Sequence, residues 1–223
     1  MRQEAATTEP IETLIVRLCR RDAADRVTPK DTARLADPAS AQAFLESSAR
    51  HGVRGLVLTR LKRMHSVLPE TGPGWDLLLK PLPVLRKQAA LWELEQSRIL
   101  GALGSAGLRP VVLKGGALRH MAYDDAVERW MGDLDLLVAP GEMTPLLSVL
   151  SNLGYASEHS AEARRGIEQH HYHHLVTHPS GFIVEAHQGL TRPGAPCQLD
   201  PGRFLERARF FQPPGGALIR VPS

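Results

Sequence analysis

The apolar pattern of this chain changes period at Gly107, and that change separates a helical part from a part that must contain a sheet. Upstream, apolar residues recur at three- and four-residue spacing. Ile11, Leu14, Ile15 and Leu18 form one such stripe and Leu56, Leu58 and Leu61 another, so four or five helices are expected here. Pro69, Gly72, Pro73 and Gly74 mark a loop. Pro81 and Pro83 mark a second break before a long helix from about Val84 to Ser105. Downstream, RPVVLK and WMGDLDLLVAP are short β-type runs, and YHHLVTHPSGFIVEAH reads as two strands joined by a Pro-Ser-Gly turn. ALRHMAYDDAVER and EMTPLLSVLSNLG lie between these runs as helices; in the second, Leu146, Leu147 and Leu150 share a face and Gly154 suits a C-cap. The order strand, helix, strand, helix, hairpin predicts an α+β fold. Three regions follow: residues 1–107 helical, 108–192 the sheet-bearing core, and 193–223 a Pro- and Gly-rich tail. That tail is expected to be loosely structured around a short helix near Phe204 to Ala208.

At 223 residues the chain can bury one well-packed core with a helical extension. Its 43% hydrophobic and 23% charged content excludes a disordered or fibrous class. A net charge of +3 suits an anionic ligand but lacks the dense basic stripe that tracking a long nucleic acid needs. Cys19 and Cys197 are far apart, so neither a disulfide framework nor a cysteine zinc site is expected. The polar start and the lack of a long apolar run predict a cytoplasmic protein with no membrane partner.

Three acids carry the chemistry. In Gly-Asp-Leu-Asp-Leu-Leu-Val, Asp133 and Asp135 stand at i and i+2 of a strand, so both carboxylates leave the same face while Leu134, Leu136 and Val138 enter the core. Like charges held that close call for a cation, and hard oxygen ligands suit magnesium or manganese; a solvated acidic strand end is the plainer alternative. Glu185 sits among apolar residues in Phe-Ile-Val-Glu-Ala-His, on a strand that should lie beside the first, where a metal, a catalytic role or a nearby basic partner would justify its burial. Lys114, Gly115 and Gly116 occupy a strand-to-helix junction. Missing side chains there let backbone N–H groups approach phosphate, although such a pair is also a common tight turn.

Arg129, four residues before Asp133, either neutralises the acids or forks onto phosphate, or is simply exposed. His170, His171, His173, His174, His178 and His187 form a histidine-rich hairpin. Pairing Thr177 with Phe182 would set His174 opposite Glu185, so that His174 orients it, with His187 supporting on the return strand. A zinc site is the competing reading, weakened because successive strand residues face opposite ways. Trp92, Trp130 and Met131 are expected in the core, and Arg60, Lys62 and Arg63 on a solvated helix face.

The run LKGGAL, then RWMGDLDLLV, then LGY, then HH and finally VEAH resembles an uncharacterised bacterial nucleotidyltransferase family of the DNA polymerase β-like superfamily. The resemblance covers about Val111 to Leu190. It implies a mixed sheet with flanking helices and Mg²⁺- or Mn²⁺-dependent transfer of an NMP group from a nucleoside triphosphate, ATP among the candidates. The implied acceptor is a hydroxyl of a small molecule or protein. On it Asp133, Asp135 and Glu185 match the metal-binding and catalytic acids, and Gly115 and Gly116 the phosphate loop, with Gly116 where active relatives carry Ser. That departure keeps a second reading open, an inactive binding module on the same fold; a metal-dependent hydrolase built on the histidines is a third.

Overall fold

A computed structural model describes residues 9–65, 72–139, 141–157, 173–192, 194–213 and 217–223. The chain separates into two compact units. The first holds the described residues up to Gln88 together with Asp125–Trp130; the second holds Ala89–Asp124 and the described residues from Met131 onward.

The first unit is helical: α1 (Ile11–Cys19), α2 (Ala23–Arg26), α3 (Pro29–Leu35), α4 (Pro38–Arg50), α5 (Arg54–His65), α6 (Pro73–Leu79) and the first turns of α7 (Leu82–Ser105). Ile11, Leu14, Ile15 and Leu18 are the buried stripe of α1, and Leu56, Leu58 and Leu61 are buried on α5, as their spacing predicts. Thr28 caps α3 through a reciprocal box with Asp31, and Asp37 caps α4. The basic run on α5 is more than a solvated face. Arg60 donates to the Leu18 carbonyl at 2.7 Å and to that of Arg20, satisfying the end of α1, and Arg63 pairs at 3.0 Å with the buried carboxylate of Glu128.

The second unit carries a four-stranded mixed sheet, ordered β1 (Val111–Val112), β2 (Leu134–Leu137), β4 (Ile183–His187) and β3 (His173–Thr177). β1 runs antiparallel to β2, β2 parallel to β4, and β4 antiparallel to β3. α8 (Lys114–Met121) follows β1 and α9 (Met143–Asn152) follows β2; Gly154, at φ 92°, closes α9. Alternation sorts the side chains of β2 and β4. Leu134, Leu136, Val138, Val184 and Ala186 join Trp92, Ile99 and Leu103 of α7 and Leu146 and Leu150 of α9 in the main core. On the opposite face Leu137 packs with Val111 and Leu113 beneath Leu190, Leu205 and Ala208.

Three expectations are corrected. The tail is ordered where described: α10 (Pro201–Arg207) leads into a hairpin of β5 (Arg209–Phe211) and β6 (Ile219–Val221), and Ile219 and Val221 are buried in the main core. Trp130 is 55% exposed, since extended backbone at Arg129 sends neighbours to opposite sides and Met131 takes the core position. The hairpin register is shifted by one. Gly181, at φ 88°, takes the left-handed place after a turn in which its N–H donates to the His178 carbonyl at 2.8 Å and the His178 N–H donates to that of Phe182 at 2.8 Å. This extra residue pairs Thr177 with Ile183 and His174 with Ala186. A one-residue shift exchanges faces, so His174 is buried on the core side, away from Glu185.

Candidate active site

The parallel pairing of β2 and β4 sets Asp135 directly beside Glu185, and Leu137 beside His187, all on the face opposite the main core. β1 supplies the fourth member. Its ladder with β2 extends one residue past the strand, where the Leu113 N–H donates to the Asp135 carbonyl at 2.9 Å, so the next residue, Lys114, starts α8 at the edge of the acids. Lys114 adopts φ 42°, the one left-handed non-glycine among the described residues. Such a conformation costs about 1–3 kcal/mol and persists where surrounding contacts hold it.

Those contacts converge on one point. Lys114 Nζ lies 2.5 Å from Asp135 Oδ1 and 3.7 Å from Glu185 Oε2, and His187 Nε2 lies 2.8 Å and 3.4 Å from the same two oxygens. Asp135 is 1% exposed and His187 is buried, whereas Glu185 keeps an edge toward solvent and the Lys114 side chain is 59% exposed. Burial raises the Asp135 carboxyl, but hydrogen bonds from His187 and Lys114 and the lysine charge outweigh it and hold the group below 3.8. Lys114 is the converse case. Burial pulls it down, and the hydrogen bond and charge of Asp135, with Glu185 and Asp133 adding theirs, raise it above 10.5.

Ligand atoms of Asp135, Glu185 and His187 all lie within 4.8 Å of one another, the grouping of that kind found among the described residues. Two carboxylates and an imidazole form a donor set suited to a divalent cation. The lysine ammonium offsets the charge of both acids, the basic partner that the burial of Glu185 called for. Asp133 stands just ahead of β2, partly buried, and its charge reaches Lys114.

Gly115 and Gly116 are buried in the first turn of α8. A Cβ on Gly116 would come within 2.7 Å of Val112 Cγ1 and 2.9 Å of Leu134 Cδ1, both in the main core. A side chain at this position would force Val112 or Leu134 to shift, so the glycine suits the close packing of helix on sheet. Arg129 belongs to the first unit, where its guanidinium donates to the Trp130 carbonyl at 2.7 Å.

Among the described residues, the remaining histidines do not gather into a site of their own. The His173 ring lies tilted beside that of His187, with ring centroids 5.4 Å apart, and His174 faces the core. His178 lies at the turn, its Nδ1 2.5 Å from Ser180 Oγ. His170 and His171 lie outside the described residues.

Asp135, Glu185 and His187 thus offer a grouping that could hold a metal ion, beside a turn that opens a helix, and a family model described as uncharacterised nucleotidyltransferase matches residues 37–223. The chain belongs to the uncharacterised nucleotidyltransferase family. No curated protein and no solved structure matches it. The full match extends beyond the motif-bearing core into most of the helical first unit. No described helix is long and apolar enough to cross a membrane.

Two parts of the site region were not drawn from the sequence. His187 offers a ligand atom within 4.8 Å of those of Asp135 and Glu185, a placement already contained in the i, i+2 spacing of Glu185 and His187 on one strand. The Leu-Gly-Tyr motif has a structural role. Tyr155 donates to Glu95 of α7 at 2.6 Å, and Arg98 Nε reaches the other oxygen of that carboxylate at 2.9 Å, tying the end of α9 to the long helix behind the sheet.

Proposed function

We propose that this chain is a divalent-metal-dependent nucleotidyltransferase that moves an NMP group from a nucleoside triphosphate to a hydroxyl of a small molecule or protein. The observation that carries the reading is the convergence of Asp135, Glu185 and His187 beside Lys114, at the N-terminus of a helix that opens with two buried glycines.

Asp135, Glu185 and His187 would hold the cation, with Asp133 the further acid at the mouth of the strand. Bound there, the ion would supply Lewis-acid neutralisation of phosphate charge. The chain's own residues do the rest. The free N–H groups of the first turn of α8 and the Lys114 ammonium receive the triphosphate oxygens. Glu185 retains access to solvent, unlike Asp135, and takes the proton from the acceptor hydroxyl. The hydroxyl oxygen then bonds to the α-phosphorus in line, the α–β bridging bond breaks, and pyrophosphate departs with its electron pair.

Packing at Gly116 also weakens the argument for an inactive module, since a side chain there would press on Val112 and Leu134, which gives the glycine a packing reason of its own. The test is thermal stability with each of the four NTPs, with and without Mg²⁺, on the wild type and on an Asp133→Asn, Asp135→Asn double variant. A ligand at about 100 times its Kd adds roughly 2.7 kcal/mol. A Mg²⁺-dependent shift lost in the variant supports the reading; no shift with any nucleotide sinks it.

A further inference from the structure

We propose that Lys114 is a built-in substitute cation: without nucleotide its ammonium occupies the position a metal would take between Asp135 and Glu185, and it leaves for the triphosphate when metal and nucleotide bind together. This deepens the metal-and-nucleotide reading of the site and rests on it.

The geometry sets the two cations in competition for the same carboxylate oxygen. Asp135 Oδ1 and Glu185 Oε2 are the oxygens turned toward one point, since His187 Nε2 approaches both, at 2.8 Å and 3.4 Å. Lys114 Nζ sits 2.5 Å from the first and 3.7 Å from the second. A magnesium-type ion needs such oxygens at about 2.0–2.1 Å, so at Oδ1 it must compete with the ammonium hydrogen-bonded there. Two positive charges sharing one oxygen would also repel.

Only one of the partners is free to yield. Asp135 and His187 are fixed in strands with buried side chains, whereas the Lys114 side chain is 59% exposed on a flexible four-carbon stem. Its backbone position settles where it goes. Lys114 is the first residue of α8, so its stem springs from the helix end whose N–H groups suit phosphate, and a short swing carries the ammonium from the carboxylates to an anion bound there. Metal alone must then displace an ion pair, while metal arriving with nucleotide offers the lysine a new partner. The result is positive coupling between metal and nucleotide, reciprocal by linkage.

The experiment is Mn²⁺ titration of the full chain, following the spin-resonance signal of the free ion. It compares wild type, Lys114→Met and Lys114→Arg, each with and without a non-hydrolysable ATP analogue. Lys114→Met should bind Mn²⁺ alone about tenfold tighter than wild type, a difference of about 1.4 kcal/mol, and should lose most of the tightening that the analogue produces in wild type. Lys114→Arg keeps the charge and should keep the weak Mn²⁺ affinity. Equal or weaker binding of Mn²⁺ by Lys114→Met, or equal tightening in both variants, overturns the substitute-cation role while leaving the metal site standing. No Mn²⁺ binding by any of the three, even with the analogue, overturns the proposed function and this inference with it.

Discussion

Gly116 stands so close to Val112 that a Cβ there would meet its Cγ1 at 2.7 Å. Val112 and Leu134 are both fully buried, so making space for a side chain means repacking the core around them. Gly116→Ser should therefore destabilise the protein by about 1–3 kcal/mol through overpacking, with no gain in nucleotide affinity. Urea denaturation and nucleotide titration of the variant check both halves. A variant of wild-type stability that binds ATP more tightly would show that the glycine is a lost phosphate contact after all.

Asp135→Asn removes the charge that Lys114 and His187 share while preserving shape. Metal-dependent nucleotidyl transfer should fall by about 10²–10³-fold or more, the scale seen when one preorganised electrostatic group is deleted. Retained Mn²⁺ affinity in this variant would place the cation elsewhere.

Much of this arrangement was open to reading in the sequence, for a physical reason. Strand alternation is a strict two-residue rule, so the placement of Leu134 and Leu136 in the core follows from spacing alone, as does that of Asp135 on the opposite face. What spacing could not supply was the turn. Pro179, Ser180 and Gly181 admit both a two-residue and a three-residue connection, and only the left-handed Gly181 selects the longer one and sends His174 to the core. The left-handed Lys114 was equally hidden, because the contacts that hold it come from β2 and β4, distant in sequence. Tyr155 and Glu95, 60 residues apart, show the same limit.

That last pair makes a pH-dependent prediction. The Arg98 hydrogen bond holds the Glu95 carboxyl below its ordinary 4.5, against the opposing effect of burial and with help from Tyr155. A carboxyl whose folded pKa is depressed contributes stability above its unfolded pKa and loses it as pH falls through the folded value. Glu95→Gln should thus be less stable than wild type at pH 7, by about 1 kcal/mol, and the gap should close as pH drops below about 4.5. Thermal denaturation at pH 7, 5 and 3.5 measures it; a gap that stays constant would mean that the charge of Glu95 contributes nothing.

His174 and His187 sit on adjacent strands of one hairpin yet face opposite ways, and their alanine variants should separate folding from metal binding. His187→Ala deletes a group 2.8 Å from Asp135 Oδ1 and 3.4 Å from Glu185 Oε2. It should weaken Mn²⁺ binding by about tenfold or more, the range for losing an imidazole that holds or supports a metal. His174→Ala opens space on the core side beside Ala186 and should lower stability by about 1–3 kcal/mol while leaving Mn²⁺ affinity intact in the folded protein. The two measurements, denaturation and Mn²⁺ titration, must give opposite rankings. If His174→Ala instead abolishes metal binding at unchanged stability, the shifted register is wrong and His174 belongs opposite Glu185.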